Sequence, residues 1–320
     1  MRWSTASTGP KASAAATSAG AHCDAPRVII RDKPGALQLL FSVRGSVLPR
    51  ILPRIIAVTV FAGLLIWVDF AYNLLPHTDT APFAVFGIAL SLFLGFRNNA
   101  AHDRWWEGRR LWGQLIADTR SLGREVEIFL PDAADRRNIL RLVIAFIHAH
   151  RMNLRQLPAE TAPREWLAPE DLDQPHPPCA LMNQAAEAVA RAAPDGFARR
   201  ALSERLASIA LAQAGCERIA TTPLPYVYSL LIFRTTYLYC GLLPFGLVES
   251  AGWMSLLFVA IIAYIFFGLA EVTEELAHPF GETVNGLPLD AMCRTIEISL
   301  APHLDMPAPA PKQAERFYLS

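Results

Sequence analysis

Lysine is nearly missing. Of 320 residues only Lys11, Lys33 and Lys312 are lysines, and arginine supplies the rest of the positive charge. We read that as genomic composition rather than phosphate recognition. Charged residues make up 18% of the chain, against about 25% in ordinary globular domains. Lys plus Arg equals Asp plus Glu, at 29 each. A chain with no net charge has no bulk attraction for nucleic acid, so that partner class is excluded.

Cysteine is sparse too. Cys23, Cys179, Cys216, Cys240 and Cys293 are odd in number, lie at no metal or redox spacing, and include one in an apolar segment. That excludes a disulfide framework and points to reduced thiols. No His-Glu-x-x-His, Gly-rich phosphate loop or nucleophile elbow occurs. The expectation is therefore no enzyme, no cofactor and no metal site. Residues 1–26 are rich in Ala, Ser and Thr and lack an apolar run, so they read as a disordered extension rather than a signal peptide. Internal repeats are absent, and strand signals are few.

What the chain does have is apolar bulk, 52% of its residues, gathered into four segments. These fall at about 51–68, 81–100, 224–248 and 251–270; in the second, Arg97 follows 16 uncharged residues. Only the last meets the spanning length of about 20 residues alone. Arg44, Arg50 and Arg54 precede the first segment, Arg97, Arg104, Arg109 and Arg110 follow the second, Arg218 precedes the third and Arg294 follows the fourth. The two other connections carry no Lys or Arg. The positive-inside rule places both termini and the 97–223 region in the cytoplasm. That region reads as helical, with apolar spacing over 111–129 and 138–154 and a helix pair over 180–220 broken near Pro194-Asp195-Gly196. Pro158 to Pro178 reads as a loop, 271–305 as further cytosolic helix, and 306–320 as a flexible tail. The fold class is an all-α membrane protein with a helical cytosolic part.

The second apolar segment carries two stripes at four-residue spacing. Ile88, Leu92 and Phe96 form a large one; Gly87, Ser91 and Gly95 form a small one that lets helices pack closely. The large stripe suits lipid contact or bundle packing, and equally a dewetting pore constriction. Arg234 lies inside the third segment, where a guanidinium must face protein or water. Arg97 to Arg110, with Trp105 and Trp106, read as an interfacial anchor and salt-bridge hub. His148 and His150 fall on different helix faces, and Glu271, Glu274, Glu275, Glu282 and Asp290 are too scattered for a calcium loop.

Three blocks carry a resemblance: FLGFRNNAAHDRWWEGRRLWGQL, TPLPYVYSLLIFRTTYLYCGLLPFGLV and EELAHPFGETVNGLPLDAMCRTIEISL. In this order and spacing they resemble the bacterial branch of the bestrophin family, over about residues 27–305. The resemblance implies a homopentameric ion channel in the bacterial inner membrane, with four membrane helices per subunit around one central pore. It implies a neck at Ile88, Leu92 and Phe96, and a second constriction on the helix ahead of the third membrane segment. Leu206 is the expected ring residue there, with Ile209 next. Glu204 nearby would add a carboxylate ring favouring cations. The acidic run that follows Pro-Phe-Gly in calcium-activated relatives is missing after Pro279-Phe280-Gly281, which speaks against calcium gating. The bacterial branch implies passive passage of monovalent cations, sodium first. The alternatives are an anion (chloride) channel of the same architecture, or a non-channel membrane scaffold or enzyme.

Overall fold

Proline opens three of the apolar helices, where its missing N–H costs nothing because first-turn amides have no helical acceptor. Pro49 and Pro82 sit in first turns and Pro225 at an N-cap. The computed structural model describes residues 28–29, 46–73, 79–313 and 318–319. The expected 1–26 extension and Arg44 lie outside the described residues. Helix α1 spans Leu48–Tyr72, α2 Ala81–Phe129, α3 Ala133–Arg155, α4 Pro169–Leu172 and α5 Pro177–Ala192. Helix α6 spans Gly196–Thr221, α7 Tyr226–Ala251, α8 Ser255–Ala277 and α9 Leu289–Leu300. Two-residue strands, β1 (Val28–Ile29) and β2 (Tyr318–Leu319), pair antiparallel with Val28 opposite Leu319. The other regular elements among the described residues are helical.

Local chemistry sets the boundaries. Asp132 and Asp195 cap α3 and α6, accepting from Ala134 N and Ala198 N, and the Nδ1 of His176 accepts from Cys179 N at the start of α5. Gly252, at φ +52°, turns the chain between α7 and α8. The apolar stretch Tyr226–Ala277 therefore folds back on itself. Among the described residues, the stretches long and apolar enough to cross a membrane are Leu48–Tyr72, Ala81–Phe129 and Tyr226–Ala277, the last divided by this turn into α7 and α8.

The largest departure from the sequence reading is α2. It does not stop near residue 100. It continues unbroken for 49 residues, about 74 Å at 1.5 Å per residue. Nothing between Arg97 and Phe129 forces a stop: no proline occurs there, and Gly108 is buried against Phe280, with 3.2 Å between that ring and an added Cβ.

Two apolar cores are strung along this helix. In the membrane body, Leu90 and Leu94 of α2 pack with Ile51, Val58 and Ala62 of α1, Ile232 and Leu243 of α7, and Val259 and Phe267 of α8. The helices run up and down in turn: Arg54 of α1 meets Glu271 of α8, Ser255 of α8 donates to Leu247 O of α7, and Arg97 of α2 meets Ser229 of α7. Outward-facing Leu64, Trp67, Phe70, Phe233, Phe258 and Ile265 stay exposed, an apolar surface suited to lipid. In the distal body, Trp112, Leu115, Leu122 and Val126 of α2 pack against Phe146 and Ile147 of α3, Leu181 of α5, Leu202 of α6 and Ile296 of α9. Two polar joints tie α3 to α9 there: Arg151 and Arg155 both reach Asp290, and His148 Nε2 lies 2.6 Å from Glu297 Oε1.

Candidate pore-lining site

The large stripe of α2 faces away from its own subunit. Ile88 is 70% exposed, Leu92 58% and Phe96 63%, while Leu90 and Leu94, on the opposite side of the helix, are buried. Three bulky apolar side chains thus form one open face at membrane depth, spaced by single turns.

The small stripe divides. Gly87 is needed within the subunit: a Cβ there would lie 2.5 Å from the Tyr239 hydroxyl oxygen. Tyr239 is held by Phe86 (ring centroids 5.4 Å apart) and Phe266 (5.5 Å), so it has nowhere to retreat. Ser91 spends its hydroxyl on Gly87 O at 2.8 Å. Gly95 has nothing within 4 Å of an added Cβ. Close packing within the subunit therefore rests on Gly87, and Ser91 and Gly95 give none. Gly87→Ala is expected to cost about 1–3 kcal/mol by overpacking, seen as a lower melting temperature in detergent. Gly87→Ala with Tyr239→Phe should recover part of it, because the colliding oxygen is gone.

Helix α6 corrects the second-constriction residues. Leu206 is 6% exposed and Ile209 fully buried. Both belong to the distal core, on a stripe with Leu202, Cys216 and Ile219. The large apolar residues left open on this helix are Phe197, at 85%, and Leu211, at 74%. Glu204 is exposed, and its Oε1 accepts from Arg200 Nε at 2.8 Å, one helical turn away on the same open surface. The signal for this phase was present in the sequence: Leu202, Leu206, Ile209, Cys216 and Ile219 recur at helical spacing, and Phe197 and Leu211 fall off that stripe.

Between the two bodies lies a girdle of arginines. Arg50 pairs with Glu275, Arg54 with Glu271 at 3.1 Å, and Arg97 with Glu274 at 2.6 Å. Arg104 donates to Ala277 O at 2.7 Å and to Thr222 O and Ile219 O, which are carbonyls at the C-termini of α8 and α6. Trp105 Nε1 donates to Asn285 O at 2.9 Å. The expected salt-bridge hub is present at Arg97 with Glu274 and at Glu107 with Arg218. Of the acidic residues that sequence spacing left scattered, Glu271, Glu274 and Glu275 turn out to be counterions of the girdle. Arg234, exposed on α7, makes no hydrogen bond or ion pair among the described residues.

A family model described as bacterial/fungal bestrophin protein matches residues 28–302. The chain belongs to the bestrophin family. This bestrophin is 43% identical over 309 residues to a voltage-dependent anion channel-forming protein of Mesorhizobium japonicum, with 92% of this chain and 98% of the relative covered. It is 40% identical over 286 residues to the voltage-dependent anion channel-forming protein YneE of Escherichia coli, covering 85% and 93%. A solved bestrophin homologue from Klebsiella pneumoniae superposes with a TM-score of 0.76 at 32% identity, covering 80% of this chain and 99% of that one. The protein is a predominantly helical membrane bestrophin and not an enzyme.

The bestrophin's Pro279-Phe280-Gly281 loop is closed by Leu287 N donating to Pro279 O at 2.7 Å, and Phe280 is buried in the distal core. Among the described residues no three metal-ligating side chains stand together. His148 and His150 part company, as their spacing predicts. His148 pairs with Glu297, whereas His150 stacks between Trp112 and Phe146. Burial, with His176 nearby, pulls the His150 imidazole down to about 3, so it stays neutral.

Proposed function

We propose that this bestrophin is an anion-conducting channel of the bacterial inner membrane, assembled from five copies around the α2 helices, with both termini cytoplasmic. The observation that carries the pore is the open Ile88–Leu92–Phe96 face, exposed beside a well-packed bundle. Placed around an axis, it gives three stacked apolar rings in which water and ions are poorly solvated. Chloride-like anions replace the sodium expected from sequence for two reasons. Relatives 43% and 40% identical to it are named as anion channel-forming proteins, and Glu204, which favoured cations, is ion-paired with Arg200.

The second constriction moves to Phe197. It is the open apolar residue at the end of α6 farthest from the membrane body. Planar-bilayer recording under a NaCl gradient tests the ion sign: reversal near the chloride potential supports the reading, and reversal near the sodium potential overturns it. Phe197→Ala should raise the permeability of large anions relative to chloride, whereas Leu206→Ala should lower stability instead.

A further inference from the structure

The neck is only the first part of the open face of α2. At 100° per residue, Arg110 lies five full turns below Leu92 and Arg124 ten full turns below Ile88, each at the same angle around the helix. Asp103 falls within about 20° of Leu92 on the same count. Exposure follows this phase: Asn99, Asp103, Trp106, Arg110, Gln114 and Arg124 are all open, while Ala101, Gly108, Trp112, Leu115 and Leu122 are buried. The helix holds no interior proline, so the face has no cause to swing away from the axis.

Charge on this face is unbalanced. Its one carboxylate, Asp103, sits at the level of the girdle with its side chain 85% exposed. Arg110 and Arg124 lie deeper and make no ion pair or side-chain hydrogen bond among the described residues. They differ in this from Arg97, Arg104, Arg205 and Arg218, which are bonded within the subunit. An arginine that folding does not use, at the phase of the neck, is free to act on whatever occupies the space in front of it.

We propose that Arg110 and Arg124 are specificity-determining residues for permeation. Repeated around the axis, they form two cationic rings in the vestibule below the neck, which concentrate anions and repel cations, and Asp103 partly offsets them. The assignment rests on the reading of α2 as pore-lining and deepens it.

The test is the reversal potential of the full-length channel in planar bilayers under asymmetric NaCl, for wild type, R110Q/R124Q, R110K/R124K and D103N. All these side chains are exposed, so the fold should be little disturbed. R110Q/R124Q is expected to lower the chloride-to-sodium permeability ratio severalfold, D103N to raise it, and R110K/R124K to keep it near wild type. The shifts should be largest near 0.1 M salt and fade towards 1 M, where the Debye length falls from about 10 Å to about 3 Å. A chloride-selective wild type whose reversal potential is the same in all variants overturns the arginine assignment alone. A sodium-selective wild type overturns the anion reading itself.

Discussion

Replacing Ile88, Leu92 and Phe96 together by alanine should raise unitary conductance severalfold. A narrow apolar constriction resists ions because it offers no partner for a stripped hydration shell. Removing three rings of bulk widens it enough for water to stay. The three side chains are 58–70% exposed in the subunit, so truncation leaves the bundle core intact, and a change in current reports the pore rather than misfolding. Single substitutions should rank by position: one surviving ring still limits flow, so Leu92→Ala alone should change less than the triple variant. Single-channel recording checks this. Conductance and ion preference unchanged in the triple variant would remove α2 from the pore.

Asp290→Asn should be the most damaging single change in the distal body. One carboxylate, 14% exposed, serves two guanidiniums, Arg151 at 12% and Arg155 at 3%. Arg155 lies 2.7 Å from it and, among the described residues, has only Leu287 O as a further acceptor, at 3.1 Å. Burial, with Arg151 beside it, already pulls the Arg155 guanidinium down to about 10. Leaving such charges without their partner costs about 3–5 kcal/mol. Thermal unfolding of the detergent-solubilised protein should show a large drop for Asp290→Asn. Adding Arg151→Gln should recover part of it, since one guanidinium then remains to be satisfied instead of two.

The apolar segments and their turns were readable because composition and proline placement act locally. The predicted spans at 51–68, 224–248 and 251–270 became Leu48–Tyr72, Tyr226–Ala251 and Ser255–Ala277, and the break at Pro194 to Gly196 stands between α5 and α6. The length of α2 was not readable from hydropathy. The change from apolar to charged at Arg97 marks a change of surroundings rather than of backbone. The pairing of Arg50 with Glu275, Arg54 with Glu271 and Arg97 with Glu274 joins residues far apart in the chain, which no local pattern encodes. Leu206 and Ile209 failed for another reason. Positions taken from a resemblance ignored the helical phase, which places both in the core.

The unbroken α2 also has a mechanical consequence. If α2 pivots where Arg104 grips the ends of α6 and α8, it moves as a lever with two arms. The arm to Phe129 is about 37 Å and the arm to Ile88 about 24 Å at 1.5 Å per residue. A sideways push at the far end moves the Ile88–Phe96 face in the opposite direction, with about two-thirds of the travel. In the proposed assembly, splaying the distal ends outward would tighten the neck, and drawing them together would open it.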